Sequence, residues 1–334
     1  MSKTKILLLF GGKSTEHEIA CMSAYTITKN IDKEKYEIEL IKIDKKGSWN
    51  LITNIEDICK DNIKPAIISL DKPLTYQEKE IEYDYIWPIF HGKNGEDGVI
   101  QGVLQALELS YIGCDLASSA LGMDKYYSQI IANHAGIKTT KSIKLKDKRN
   151  LESIYDLKMP LYIKPIKSGS SIGITKVSKV DDIISAIDTA FKYDNEIVIE
   201  EEIKGYEVGC AIVGNKDKII ISKPDKVLLN DDFFDYKTKY LSSEIMFTNE
   251  TQIEKELENE IMKTALTIYN ILGCKDYARI DMFIDHKNNI YFNEINTIPG
   301  MTQGSRFSKM LEKTFETYTN GIDQIIKNSL AYNK

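Results

Sequence analysis

Lys5 to Phe10 (KILLLF) is a short unbroken apolar run, the pattern of a strand buried on both faces. Gly11-Gly12 follow as a tight turn, and Glu18 to Asn30 have helical character. Further strands are predicted at Glu37 to Ile43 and at Asp84 to Phe90 (DYIWPIF), the second ending at His91-Gly92. The loop NGEDG, Asn94 to Gly98, then opens a helix through Leu109. This βαβ rhythm predicts a doubly wound parallel sheet. Ligands of such sheets bind at the carboxyl ends of the strands, where the Gly11 and His91 loops would lie.

One helix is predicted from Leu116 to Ala135, closed by Gly136. Beyond it the texture becomes α+β. Strands are expected at Ser142 to Leu145, Leu161 to Pro165, Ile172 to Val177 and Glu196 to Ile203, with a helix from Asp181 to Tyr193. A third block starts at Tyr206, with strands at Tyr206 to Gly214 and Lys218 to Ser222. An irregular stretch runs from Asn230 to Phe247, and a helix from Gln252 to Leu272 follows. A chain of 334 residues exceeds what one core usually holds, so two or three domains are expected.

The most informative segment is YARIDMFIDHKNNIYFNEINT, Tyr277 to Thr297. Two alternating runs flank the polar turn His286 to Asn289. With Asp285 paired to Ile290, Asp281 falls opposite Glu294 and Arg279 opposite Asn296, all on one face. Ile280, Met282, Ile284, Tyr291, Asn293 and Ile295 then make the opposite, mostly core face. Facing carboxylates repel one another. Beside an amide oxygen they invite Mg²⁺, a hard cation completed by water and phosphate oxygens. The plainer alternative is a solvated face with Arg279 paired to Asp281.

Two weaker signals surround this hairpin. Lys164-Pro165 and Lys167-Ser168-Gly169-Ser170-Ser171-Ile172-Gly173 read as a strand, a small-residue loop and another strand. Small residues expose backbone N–H groups that can cradle phosphate, and the lysines add charge. The spacing is not that of a P-loop. Ile197 to Ile203 (IVIEEEI) runs an apolar strand into Glu200-Glu201-Glu202, a strand end able to serve adenine and ribose.

Composition narrows the class. Hydrophobic residues are 42% and charged residues 28% of the chain, as in soluble globular proteins. The longest apolar runs fall far short of the roughly 20 residues of a membrane span, and the N-terminus has no signal-peptide pattern. A net charge of -6 argues against coating nucleic acid. Five scattered cysteines lack a C-x-x-C pair, as expected of reduced cytosolic thiols. Only three of the 44 cationic residues are arginine: Arg149, Arg279 and Arg306. In so lysine-rich a chain, a retained guanidinium points to a need for its planar fork at Arg279 and Arg306, whereas Arg149 sits in the polar run KLKDKRN, a surface pattern.

Eight segments, in one order, resemble the D-alanine–D-alanine ligase family of the ATP-grasp superfamily. They are GGKSTEHE (Gly11 to Glu18), HGKNGEDG (His91 to Gly98), MDK (Met123 to Lys125), KPIKSGSSIG (Lys164 to Gly173), EEEIKGYEVG (Glu200 to Gly209), TKY (Thr238 to Tyr240), RID (Arg279 to Asp281) and NEINTIPGMTQGS (Asn293 to Ser305). The resemblance implies an α/β and α+β fold: an N-terminal doubly wound sheet (1–121, first D-alanine site), a central ATP-grasp lobe (122–205) and a C-terminal ATP-grasp lobe (206–334) with a lid loop at 230–247. It implies a cytoplasmic enzyme of peptidoglycan synthesis that phosphorylates the carboxylate of D-alanine with ATP. A second D-amino acid then attacks the acyl phosphate. Two Mg²⁺ ions, with Mn²⁺ as a substitute, a homodimer, and no nucleic-acid or membrane partner belong to the same expectation.

Carried over residue by residue, Lys125 and Lys164 would bind ATP phosphates, with the loop Ser168, Gly169, Ser170 and Ser171 closing over them. Glu200, Glu201 and Ile203 would line the adenine pocket, Glu207 would hold ribose, and Lys239 would reach the transferred phosphate. Asp281, Glu294 and Asn296 would bind Mg²⁺. Arg279 and the Gly300 N–H would stabilise the oxyanion. Glu16 would hold the first ammonium group in a network with Ser170 and Tyr240, and His91 would lie close by. Ser305 would receive the second carboxylate.

Three departures stand out. Ala20 replaces a serine of the first motif, and Gln303-Gly304 replace a serine-histidine pair. Arg306 follows Ser305 where an apolar residue is usual, which resembles the vancomycin-resistance D-alanine–D-serine ligases. A guanidinium there could bind a serine hydroxyl and penalise D-alanine. Either D-alanine or D-serine remains open as second substrate, and a non-catalytic nucleotide-binding regulator is a remote alternative. A dinucleotide-dependent dehydrogenase fits poorly, because Gly11-Gly12-Lys13 is not G-x-G-x-x-G.

Overall fold

A computed structural model describes residues 3–60, 68–69, 75–76, 79–149, 151–169, 171–216, 218–227, 247–248 and 253–332. Ser170, Lys239, Tyr240 and residues 230–246 of the expected lid lie outside the described residues.

The first sheet is built from β1 (Thr4–Gly11), β2 (Tyr36–Ile43), β3 (Trp49–Leu51) and β4 (Tyr85–Phe90), in the order β3-β2-β1-β4. The pairs β1–β2 and β1–β4 are parallel, as the βαβ rhythm predicts. Helix α1 (His17–Asn30) crosses between the first two strands. Gly11, at φ +94°, cannot be replaced cheaply: a β-carbon there would sit 2.3 Å from the Ile43 carbonyl oxygen. That close approach brings the Gly11-Gly12 turn, and hence the start of α1, to the strand ends.

The helix expected from Leu116 to Ala135 is two helices. After α2 (Val99–Ala106) come α3 (Leu116–Met123) and α4 (Lys125–His134). The break is Asp124, whose extended backbone ends one helix and whose carboxylate caps the next by accepting the Tyr126 and Tyr127 N–H groups. The break turns Lys125 into the interior, where it is buried.

The second sheet is antiparallel, in the order β7-β6-β8-β5, from β5 (Ser142–Leu145), β6 (Leu161–Pro165), β7 (Thr175–Val177) and β8 (Ile197–Glu201). The strand expected from Ile172 begins only at Thr175, because Ser171 and Gly173 adopt left-handed backbone at φ 57° and 76°. Helix α5 (Ile183–Ala190) covers one face.

The third sheet centres on β9 (Gly205–Asn215), paired with β10 (Lys218–Ile221), β11 (Asp225–Val227) and β12 (Tyr277–Asp285), with β13 (Ile290–Asn296) beyond β12. Helix α6 (Lys255–Ile271) packs on it through Leu257, Ile261, Ala265 and Ile268. Two helices end the fold, α7 (Arg306–Phe315) and α8 (Tyr318–Tyr332). They turn back to the first sheet: Phe307, Met310, Leu311, Ile322, Ile325 and Ile326 share one core with Ile6, Leu8 and Phe10 of β1. Ala132 of α4 likewise belongs to the core of the third sheet. Packing therefore crosses the boundaries that the family resemblance implies at 121 and 205.

The hairpin register needs one correction. Ile284, not Asp285, pairs with Ile290. Asp285 instead closes the turn, accepting the Lys287 and Asn289 N–H groups, with Asn288 at φ 61°. A β-bulge between Asp281 and Met282 then inserts Asn293 as an extra residue. Before the bulge Phe292 and Ile290 face the core and are buried, whereas Tyr291 and Asn293, expected there, are only half-buried. After it, Asp281 stands opposite Glu294 and Arg279 opposite Asn296, as predicted.

Candidate active site

Glu16 precedes α1 and is buried, yet its carboxylate does not cap that helix. It is packed between two glycines far apart in the sequence, Gly92 and Gly169. A β-carbon at Gly92 would lie 2.5 Å from Glu16 Oε2, and one at Gly169 would lie 2.8 Å from the same atom. The acid of the first motif thus meets both the His91 loop and the small-residue loop. His91 uses both ring nitrogens within the protein: Nδ1 lies 3.0 Å from the Ile298 carbonyl and Nε2 lies 3.2 Å from Ser23 Oγ.

Lys125 joins that loop to the hairpin. Its Nζ donates to the Ser168 carbonyl at 2.8 Å and lies 3.2 Å from Glu294 Oε2. Lys164, on β6, pairs with Glu200 on the neighbouring β8 at 2.6 Å. Burial alone would lower the Lys164 pKa, but Glu200 outweighs it and the ammonium is held above its usual range. Gln129 of α4, which the sequence did not single out, donates to Glu200 at 2.9 Å and to the Asn293 carbonyl at 3.3 Å. The bulged residue therefore connects the Lys164–Glu200 pair to the hairpin. Glu201 accepts the Lys158 N–H, and Ile203 is half-buried just past the strand end.

The hairpin face is dominated by Asp281, which is 1% exposed. Arg279 grips it as a fork, Nε at 2.9 Å and NH2 at 2.7 Å, and Asn296 Nδ2 adds a third donor at 3.0 Å. Burial would push this carboxyl up, but the Arg279 and Arg306 guanidiniums hold it below the usual carboxylate range. Asp281, Glu294 and Asn296 thus bring two carboxylates and an amide to one face. These are the hard oxygen donors that Mg²⁺ prefers. No group of three or more His, Cys, Asp or Glu among the described residues could hold a metal unaided. A cation on this face would need Asn296, phosphate oxygens and water to complete its shell.

Arg306 opens α7 and points inward. Its Nε and NH2 form a fork on Asp225 at 2.9 and 2.7 Å, and NH1 reaches Glu207 and lies 3.5 Å from Asp281 Oδ1. Gly209 makes room for this cluster: a β-carbon there would sit 2.6 Å from Arg306 NH2 and 2.8 Å from Asp281 Oδ1. The Gly209 N–H also donates to Asp225 at 2.9 Å. Glu207, expected to serve ribose, is therefore engaged by Arg306. Asp225 was missed in the sequence. The signal that could have found it is that a buried guanidinium requires a carboxylate. Ser305 precedes the same helix without capping it: its Oγ lies 2.7 Å from Thr302 Oγ1, and a β-carbon on Gly300 would meet that Oγ at 2.9 Å.

The cluster gathers the Lys164–Glu200 pair of the second sheet, the Asp281 face of the third and the inward Arg306 at the start of α7. The family model for the D-ala D-ala ligase N-terminus matches residues 5–114, and that for the D-ala D-ala ligase C-terminus matches 130–327. The chain belongs to the D-alanine–D-alanine ligase family.

A D-alanine–D-alanine ligase of Caldicellulosiruptor bescii is 38% identical to this chain, covering 100% of it and 97% of the relative. The vancomycin B-type resistance protein VanB of Enterococcus faecalis is 36% identical, covering 98% of each. Among solved structures, the VanG D-Ala:D-Ser ligase from Enterococcus faecalis superposes with a TM-score of 0.88 at 37% identity, covering 98% of this chain and 100% of that one. The D-alanine–D-alanine ligase from Bacillus anthracis complexed with ATP gives 0.76 at 29% identity, covering 98% of both. Membership makes the chain an ATP-dependent, C–N bond-forming ligase on the ATP-grasp fold, the class that the eight segments implied. It removes the dehydrogenase reading. No helix among the described residues is long and apolar enough to cross a membrane.

Proposed function

We propose that this ligase couples the carboxylate of D-alanine to the amino group of a second D-amino acid through D-alanyl phosphate, with D-serine as the preferred acceptor, and that the dipeptide serves peptidoglycan synthesis. The observation that carries the choice of acceptor is the buried Arg306–Asp225 pair beside Asp281. An ion pair gives the acceptor site a polar wall where an apolar one would select a methyl group. A hydroxyl can join such a wall, while a methyl desolvates it without return. The reading that favours D-alanine rests on the same pair, since Asp225 and Glu207 already engage the Arg306 fork.

The chemistry follows from the groups at hand. Lys125 and Lys164 hold the ATP phosphates beneath the Ser168 to Ser171 loop, while Glu200, Glu201 and Ile203 border the adenine. Glu207 takes the ribose only by sharing its carboxylate with Arg306. Asp281, Glu294 and Asn296 would hold Mg²⁺, two ions in the full complex and replaceable by Mn²⁺, which would supply positive charge against the ATP phosphates. Glu16 holds the D-alanine ammonium, in a network with Ser170 and Tyr240, and Lys239 reaches the transferred phosphate.

The amine of the second substrate, seated through its carboxylate at Ser305, attacks the acyl carbon. Arg279 and the Gly300 N–H donate to the oxyanion that forms, and phosphate leaves. Residues 230–247 act as the lid that keeps water from the acyl phosphate. The chain divides at 1–121, 122–205 and 206–334 for these tasks, with the cross-packing described above. A cytoplasmic homodimer completes the reading, and light scattering in solution tests its stoichiometry.

The acyl-phosphate step has a direct test. D-alanine carrying ¹⁸O in its carboxylate should deliver one ¹⁸O atom into the inorganic phosphate released. Phosphate free of label would contradict the step.

A further inference from the structure

A chain of buried hydrogen bonds ties α1 and the end of β4 to the segment that follows the hairpin. His91 Nδ1 is 3.0 Å from the Ile298 carbonyl, His91 Nε2 is 3.2 Å from Ser23 Oγ, and the Met301 N–H donates to the same Ser23 Oγ at 3.2 Å. Ser23 and Met301 are fully buried, and His91 nearly so. The two ends of the chain fix its direction. A carbonyl can only accept and a backbone N–H can only donate. In the neutral ring Nδ1 therefore carries the proton, Nε2 accepts from the Ser23 hydroxyl, and the Ser23 oxygen accepts from Met301. Ser23 is thus the relay of the chain, donating to His91 and accepting from Met301.

Ile298 and Met301 bracket Gly300. Beyond them, Ser305 is bonded to Thr302 and opens the helix that carries Arg306. Ser23 thus anchors, from another domain, the short segment that leads into the acceptor side of the site. Its hydroxyl touches neither the carboxylates nor the lysines described above.

We propose that Ser23 is a positioning residue for the ligation step: through His91 and Met301 it holds the Ile298–Met301 segment so that the Gly300 N–H meets the oxyanion. This rests on the role read for Gly300. Loosening the segment slows amine attack, which builds the oxyanion, more than phosphoryl transfer, which does not. The acyl phosphate then waits longer and is lost to water. Bond by bond, water's oxygen bonds to phosphorus as the bond from phosphorus to the acyl oxygen breaks, returning D-alanine and inorganic phosphate by a route that builds no oxyanion at the acyl carbon.

The test uses the full chain with Ser23→Ala and Ser23→Cys, the second keeping a side chain of similar size while weakening both bonds. ADP and dipeptide are counted in the same reaction, and KM for ATP and thermal unfolding are followed alongside. Misplacing one oxyanion donor should lower dipeptide kcat by about 10- to 10²-fold, less than the loss on removing a donor outright. ADP should exceed dipeptide, KM for ATP should stay within about twofold, and Ser23→Cys should move the same way by less. Should Ser23→Ala fail to fold, Ser23→Cys alone decides by the same ratio. One ADP per dipeptide in the folded variants overturns the proposal, whether the rate is unchanged or falls with a lowered melting temperature. A wild-type chain with no D-alanine-dependent ADP release would instead contradict the reading of the function, and the two failures are distinct.

Discussion

Glu294 faces Asp281 across the hairpin because Asn293 is an extra residue in the second strand. Carried straight from the turn, the pairing of Met282 with Phe292 would put Asn293 opposite Asp281 and turn Glu294 toward the core. The bulge brings the second carboxylate to the face of the first and presents the Asn293 carbonyl to Gln129.

The two carboxylates should fail differently when neutralised. Glu294→Gln should cut turnover by about 10²–10³-fold, the scale for losing one group that manages transition-state charge, with little change in melting temperature. Asp281→Asn should abolish turnover and also strand Arg279 and Arg306 beside a neutral partner, costing roughly 3–5 kcal/mol. ADP release and thermal unfolding measured on both variants check this. Wild-type activity in either would remove the cation-binding assignment.

Gly169 and Gly304 make a matched pair of tests. A β-carbon at Gly169 meets Glu16 Oε2, whereas one at Gly304 meets nothing within 4 Å. Gly169→Ala should displace the carboxylate and raise KM for the first D-alanine by about 10- to 10²-fold. Gly304→Ala should leave it near wild type. Equal behaviour of the two would sever Glu16 from the small-residue loop.

Asp285 gives a pH dependence with a definite sign. The Asn289 side chain, with the backbone N–H groups of Asn289 and Lys287, holds its carboxyl at about 2. A depressed carboxyl stabilises the fold above the unfolded value, and the contribution is lost as pH falls through about 2. Asp285→Ala should therefore lower the melting temperature at pH 7, and the gap from wild type should close as pH falls from about 4 to 2. A gap that persists at pH 2 would show that charge on Asp285 is not what holds the turn.

Arg306 and Asp225 should behave as a unit. Arg306→Leu alone leaves Asp225 buried with an unpaired charge and should destabilise by roughly 3–5 kcal/mol. Adding Asp225→Leu should recover most of that loss, since an apolar pair can replace a buried ion pair. In the double variant the product should shift toward D-alanyl-D-alanine. An unchanged product ratio would take the pair out of acceptor choice.

What the sequence made legible follows from how local each signal was. The parallel sheet could be read because unbroken apolar runs alternate with helical stretches, and the Arg279-Asp281 and Glu294–Asn296 strands because period-two alternation survives translation into pairing. The register near the turn could not, because Asp285 binding its own turn and Asn293 bulging out are backbone choices that alternation does not encode. Lys125 was found in its motif, but its inward aim depends on Asp124 ending one helix and capping the next. Asp225, Gln129 and Ser23 carried no pattern at all. Their importance lies in partners 81, 71 and 68 residues away, and only the fold brings those partners together.

The most direct measurement mixes Mg-ATP and D-alanine with an equal concentration of D-serine, follows ADP release, and reads product masses at the end. D-alanyl-D-serine should be the main product, with D-alanyl-D-alanine forming more slowly when D-serine is left out. D-alanyl-D-alanine as the sole product would contradict the assignment of the acceptor while leaving the ligase chemistry in place. No dipeptide, with ADP release indifferent to D-alanine, would contradict the account at its centre.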